Sequence, residues 1–215
     1  MKPIKATTLK QIRQARIVPV VVIDDAAVGL ELADALLAVG LNVIEITFRT
    51  PAAAAAIAKI AAARPAMLVG AGTLLTEDNV RSALNAGARF GFAPGLNVRI
   101  VEAAHRAGLD FSPGITTPSE LEQALQMQCP LVKFFPAEQA GGVPMLKALE
   151  GPYRHTGVQF IPTGGINLKN LADYLALENV AAIGGSWFVG KKLIAAQDCL
   201  TITRLTQEAL TAIRA

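Results

Sequence analysis

Cysteine is scarce in this chain: Cys129 and Cys199 are the only two, and they lie far apart. Neither has metal-type spacing, so the sequence excludes a disulfide scaffold and a thiolate zinc site. The pair is expected to be reduced thiols of a cytoplasmic protein, with Cys129, beside a strand, serving packing. Aromatics make up only 5% and charged residues only 17%, with a net charge of +3. The basic residues are scattered and not interleaved with aromatics, so there is no nucleic-acid footprint. Long apolar runs are also missing. The first, Ile17 to Ile23, ends at Asp24-Asp25, which is too short for the core of a signal peptide. The alanine-rich stretch Ala52 to Ala63 is broken by Lys59 and followed by Arg64, which makes it a helix and not a membrane span. No membrane partner is expected. The first strand is not followed by G-x-G-x-x-G, which argues against an open doubly wound sheet, and no cofactor is expected. Histidine is limited to His105, within a helix, and His155, in a loop, both read as structural or solvated. No His/Asp/Glu cluster has ligand spacing, and no metal is expected.

What the chain does have is alternation. Short apolar runs at Ile17–Ile23, Asn42–Thr47, Met67–Gly70, Arg89–Ala93, Leu109–Ser112, Pro130–Phe135, Val158–Thr163 and Val180–Gly184 read as strands. Helical patterns lie between them, as at Ala26–Val39, Glu77–Ala86 and Ser119–Met127, the last opened by Thr117-Pro118. Met1 to Arg16 reads as an extra amphipathic helix. Eight strand–helix units call for parallel strands joined by crossovers. They close most simply as one (β/α)₈ TIM barrel domain over residues 1–215 with an additional N-terminal helix. An open doubly wound sheet is the alternative, and it is disfavoured because polar residues gather at the ends of many strands instead of one switch point.

One residue breaks the apolar pattern. In Leu131-Val132-Lys133-Phe134-Phe135-Pro136 a lysine occupies the middle of a buried parallel strand. Lysine is almost never fully buried without a reason. Burial disfavours a charged amine and leaves more of the neutral, nucleophilic form, the usual basis of Schiff-base chemistry. A lysine paired statically with a carboxylate, or one reaching out from a strand end, would leave the same trace.

Active sites of such barrels lie at the C-terminal strand ends. There the sequence offers Glu45, Thr47 and Arg49, whose alternation points them to one side. It also offers Thr73 after the third strand, Pro94 after the fourth, and Lys133. Glu45, set between isoleucines, suits proton transfer; charge balance for Lys133 or Arg49 is the other reading. Arg49 presents a planar fork matched to a carboxylate, and Thr73 adds a hydroxyl that could share the same anion. The last two strands end in Thr163-Gly164-Gly165 and Gly184-Gly185-Ser186. Paired glycines let backbone N–H groups approach a phosphate, and these two loops are the recurrent phosphate site of the fold.

The strings Val43-Ile44-Glu45-Ile46-Thr47-Phe48-Arg49-Thr50, Gly70-Ala71-Gly72-Thr73, Phe92-Ala93-Pro94-Gly95, Pro113-Gly114-Ile115-Thr116-Thr117, Lys133-Phe134-Phe135-Pro136-Ala137-Glu138, Pro162-Thr163-Gly164-Gly165-Ile166 and Gly184-Gly185-Ser186-Trp187 resemble the class I 2-keto-3-deoxy-6-phosphogluconate (KDPG) aldolases. Some members of that family also cleave 4-hydroxy-2-oxoglutarate. The resemblance implies a small keto-acid phosphate substrate, split to pyruvate and glyceraldehyde 3-phosphate, with no cofactor. It implies that Lys133 forms the imine and Glu45 moves protons. It further implies that Arg49, Thr73 and Pro94 hold the pyruvate carboxylate, and that Thr163, Gly164, Gly165, Gly184, Gly185 and Ser186 hold the phosphate. It also implies a homotrimer. A phosphogalactonate-specific aldolase and a non-catalytic sugar-phosphate-binding barrel are the alternatives. The second would have no need of Lys133 and Glu45 together.

Overall fold

The computed structural model describes residues 4–214. Among them, nine short strands alternate with helices. The strands are β1 (Ile17–Val21), β2 (Val43–Thr47), β3 (Leu68–Gly72), β4 (Phe90–Phe92), β5 (Asp110–Ser112), β6 (Gly114–Ile115), β7 (Leu131–Phe134), β8 (Gln159–Pro162) and β9 (Ile183–Gly185). They form two parallel sheets, ordered β5-β4-β3-β2-β1-β9 and β6-β7-β8. Pro113, which has no N–H to give a ladder, separates β5 from β6, so these two make one stave of the barrel. On the other side, parallel bridges Phe160↔Val180 and Thr163↔Gly184 tie β8 to the β9 segment. The result is a closed α/β barrel of eight staves, as the alternation predicts.

The strand limits depart from expectation for local reasons. β3 runs on through Ala71-Gly72, where glycine weakens the sequence signal although the ladder to β2 continues. The expected Val180–Gly184 strand contracts to β9, with Val180 reduced to an isolated bridge. The segment after β1 opens with a 3₁₀ turn, Ala26–Val28, capped by the Asp25 side chain, before α2 (Gly29–Leu37). The helix opened by Thr117 and Pro118 spans Pro118–Gln126 and carries a complete capping box between Thr117 and Glu120. His155 lies in a 3₁₀ turn, Arg154–Thr156, and His105 is buried in a helix, Val98–Ala107. Burial holds the His105 imidazole below its usual range, so it stays neutral at physiological pH.

The first helix, α1 (Ala6–Ala15), buries Thr8 and Ile12; the expected start at Met1 lies outside the described residues. Its Thr8 hydroxyl donates to the buried carboxylate of Asp110 on β5, and Arg13 donates to Gln159 at the start of β8. Both partners lie toward the N-terminal ends of their strands, so α1 closes that end of the barrel. One contiguous apolar core runs from Ile4 to Leu210. At about 25 cal/mol per Å² of apolar surface removed from water, such a core is the main stabilising term of the fold. The opposite end, where the glycine-rich strand ends lie, stays open. Among the described residues no helix is long and apolar enough to cross a membrane.

Candidate active site

The register fixes which side chains face the lumen. Glu45 pairs with Gly70, Gly70 with Phe90, and Phe90 with Asp110. Residues in register on parallel strands point the same way, so Glu45 and Thr47 look inward with Phe90 and Phe92. On the second sheet Gly114 pairs with Lys133 and Lys133 with Ile161. The two charged residues therefore meet inside the barrel. Lys133 Nζ donates to Glu45 Oε1 at 2.9 Å and to Oε2 at 3.3 Å, with side-chain exposures of only 6% and 1%. The amine also lies 5.6 Å from the Phe92 ring centroid and 5.9 Å from that of Phe135. Apolar walls and a single carboxylate thus surround it. The other seven lysines among the described residues are all exposed.

The Glu45 carboxylate needs room, and the sequence provides it. A Cβ on Gly72 would fall 2.0 Å from Glu45 Oε1, so only glycine at the end of β3 lets the carboxylate rise toward the open end. Thr47, fully buried, donates to the Val21 carbonyl at 2.8 Å and fastens β2 to β1 beside the pair. Arg49 lies beyond the end of β2 and is exposed. Its Nε donates to the Thr73 hydroxyl at 3.4 Å. Thr73 holds a left-handed φ of 57°, which a β-branched residue rarely adopts, and this backbone turns its hydroxyl to the guanidinium. Pro94 is half-buried in the loop after β4, and its carbonyl touches the backbone of Gly114, one strand from Lys133.

A cavity of about 430 Å³ opens at the same end of the barrel. Its wall includes Arg49, Thr163, Gly164, Gly165, Gly184 and Ser186. Gly164 and Gly165 have φ of 104° and 80°, a turn open to glycine that aims successive backbone groups into the space. The loop is held from behind: Ala137 N–H donates to Thr163 O at 2.8 Å and Glu138 N–H to Gly164 O at 3.1 Å. Glu138 in turn accepts from the buried Tyr174 hydroxyl, and burial together with that carboxylate raises the phenol well above its usual range. Gly185 sits one step back, its Cα face filled by the Trp187 ring, and it does not line the cavity. Arg49, expected at the keto-acid end, reaches both this cavity and Thr73.

The residue that sequence reasoning missed is Lys191, in the short helix Lys191–Ala195, which also lines the cavity. No motif marks it, because it stands outside the glycine strings. Cys129 is buried, and burial pushes its thiol up to about 12, so it is an inert packing residue; Cys199 is half-buried and free. Among the described residues no cluster of three or more His, Cys, Asp or Glu is arranged to hold a metal.

Fold and site together define a parallel α/β barrel in which the one buried amine among the described residues is bonded to a buried carboxylate, with Phe135 between it and a glycine-lined cavity. Comparison with known proteins agrees with that class. The model of the KDPG and KHG aldolase family matches residues 9–205. The chain is 48% identical over 206 residues to the 2-dehydro-3-deoxy-phosphogluconate aldolase of Haemophilus influenzae, covering 96% of each. It is 44% identical to the enzyme of the same name from Treponema pallidum, over 95% of this chain and 96% of the relative. Among solved structures, the KDPG aldolase of Legionella pneumophila, with pyruvate captured at low pH as a covalent carbinolamine intermediate, matches with a TM-score of 0.89 at 40% identity, over 94% of this chain and 97% of that one. The KDPG aldolase of Zymomonas mobilis ZM4, solved with 3-phosphoglycerate, matches with a TM-score of 0.85 at 37% identity, over 94% of each chain. The chain belongs to the KDPG and KHG aldolase family.

Proposed function

We propose that the protein is a class I aldolase that cleaves 2-keto-3-deoxy-6-phosphogluconate to pyruvate and glyceraldehyde 3-phosphate. The observation that carries this reading is the buried Lys133–Glu45 pair, 2.9 Å apart in the lumen, in a family with a member whose pyruvate was captured as a covalent carbinolamine. Glu45 is within reach to take a proton from the Lys133 amine and free its lone pair. Nζ adds to the C2 carbonyl carbon and gives a carbinolamine. Glu45 supplies the proton with which the C2 hydroxyl leaves as water, and a protonated imine remains. Glu45 then takes the C4 hydroxyl proton. The C3–C4 bond breaks, its electron pair flows into the imine, and glyceraldehyde 3-phosphate departs. Protonation of the resulting enamine at C3 and addition of water return pyruvate and the free amine. The water lost in the first half is regained in the second, so the cleavage is redox-neutral.

In this reading Arg49 and Thr73 hold the substrate carboxylate, with Pro94 shaping that end. Thr163, Gly164, Gly165, Gly184 and Ser186 hold the phosphate, and Gly185, one step back, leaves room for the Trp187 ring. Anchoring both ends fixes the bond to be broken against Lys133, which converts binding energy into orientation. A second activity, cleavage of 4-hydroxy-2-oxoglutarate to pyruvate and glyoxylate, is favoured by the family model, which spans both aldolase types. The pyruvate-forming half of the two substrates is the same, and only the phosphate anchor goes unused. Incubating the protein with each keto acid and following pyruvate release in the presence of EDTA tests both. Continued release supports the reading; absence of release, or its arrest by EDTA, overturns it.

The chain is taken to act as one barrel domain over 1–215, which the single contiguous core supports. It is also taken to be a cytoplasmic homotrimer, on the strength of the sequence resemblance and, for the compartment, its two free cysteines. Sedimentation equilibrium reads the assembly directly.

A further inference from the structure

The proposed phosphate site has an electrostatic deficit. Glycine N–H groups and hydroxyls supply dipoles, and Arg49, which lines the same cavity, is bonded to Thr73 and in the proposed reading is engaged by the substrate's carboxylate. A sugar phosphate carries close to two negative charges at neutral pH, and Lys191 is the cation that the glycine strings do not reveal. It lines the cavity beside Ser186 and Gly190, yet its Nζ is bonded to Asp24 Oδ2 at 2.8 Å. Asp24 does not line that cavity. It lines a neighbouring one of about 340 Å³, to which Lys191 also contributes, so the lysine stands on the wall between the two spaces. Both partners are more than half exposed, at 60% and 54%. An exposed pair of this kind contributes little, and a four-carbon stem can turn its ammonium from one space to the other at small cost.

We propose that Lys191 is a specificity residue that exchanges partners: it rests on Asp24 when the site is free and turns into the cavity to neutralise the substrate's phosphate. The inference rests on the phosphate reading above and extends it with a residue and a movement. The exchange makes opposite predictions for its two partners. Removing the lysine weakens recognition of the phosphate. Removing the carboxylate releases the lysine and strengthens it.

The test compares kcat/KM for 2-keto-3-deoxy-6-phosphogluconate with that for its unphosphorylated counterpart, and takes the ratio as the readout. Lys191→Met is expected to lower the ratio on the order of tenfold, the size of one partly exposed charge-assisted hydrogen bond. Lys191→Arg is expected to restore most of it. Asp24→Asn is expected to raise the ratio about threefold, as the loss of a surface pair allows. If Lys191→Met leaves the ratio unchanged while Ser186→Ala lowers it, the phosphate site stands and Lys191 has no part in it. If the unaltered protein shows no preference for the phosphorylated substrate, the phosphate reading fails and this inference fails with it. An Asp24→Asn ratio at or below that of the unaltered protein overturns the exchange.

Discussion

Two buried carboxylates face the barrel lumen from the same register row, and their surroundings differ. Glu45 on β2 and Asp110 on β5 are joined through Gly70 and Phe90, and both are at most 5% exposed. Asp110 accepts from the Thr8 hydroxyl of α1, with the exposed Lys5 ammonium 3.9 Å away. Its environment is a closed floor. Glu45 rises over Gly72 to the only buried lysine among the described residues, at the end of the barrel where the cavity opens. Position in the sheet therefore does not decide what a buried acid does. The partner and the access to substrate do: one carboxylate fastens a helix under the barrel, and the other is proposed to move protons at its mouth.

That contrast can be broken by mutation, and the largest effect is expected at Glu45. Glu45→Gln keeps the shape and removes proton transfer. Turnover should fall on the order of 10²–10⁴-fold with the thermal midpoint nearly unchanged. A near-normal kcat would return Glu45 to the role of counter-charge and erase its difference from Asp110.

Arg49→Ala tests the mouth again, at one of its anion anchors. Loss of a charged hydrogen bond, roughly 1.5–3 kcal/mol, should weaken pyruvate binding by about ten- to a hundredfold or more. Unaltered affinity in a calorimetric titration would remove Arg49 from the carboxylate subsite.

Asp110→Ala is the matching test of the floor. It strands the buried Thr8 hydroxyl and should cost about 1–3 kcal/mol of stability, read as a lower urea midpoint. The kcat of the folded fraction should be retained. A large loss of kcat without a loss of stability would place Asp110 in the chemistry and collapse the comparison.

Ser186→Ala is expected to have the smallest effect of the series. It should lower kcat/KM for the phosphorylated substrate about tenfold and affect 4-hydroxy-2-oxoglutarate less, because remote binding energy is used to orient the reacting carbon. Equal losses on both substrates would make Ser186 structural.

How much of this was legible in the sequence follows the same division between floor and mouth. β2 and β7 stood out because a charge inside an apolar strand is conspicuous, and the two meet as the alternation of Glu45 and Thr47 implies. The glycine loops were legible because successive glycines at neighbouring strand ends are uncommon without a close approach. The role of Gly72 was not, because the oxygen it makes room for comes from another strand. Asp110 was not legible either, since its partner Thr8 is 102 residues away on a helix whose pattern shows only amphipathicity. Lys191 was missed because a lysine at a helix start looks like ordinary surface. The split of β5 from β6 at Pro113, and the contraction of the last strand to β9, are set by ladder geometry that composition does not record.

Lys133 is the residue on which the proposed chemistry depends most directly. Treating the protein with pyruvate and borohydride should reduce the imine, inactivate the enzyme irreversibly and leave one tagged peptide, the one that contains Lys133. The exposed lysines, which lie outside the lumen and have no carboxylate partner buried with them, should stay unmodified. Lys133→Met, which exchanges a buried amine for an apolar chain of similar length, should fold, take no tag and show no turnover. A tag on a different lysine, or an enzyme that resists borohydride and loses activity in EDTA, would contradict the account at its centre.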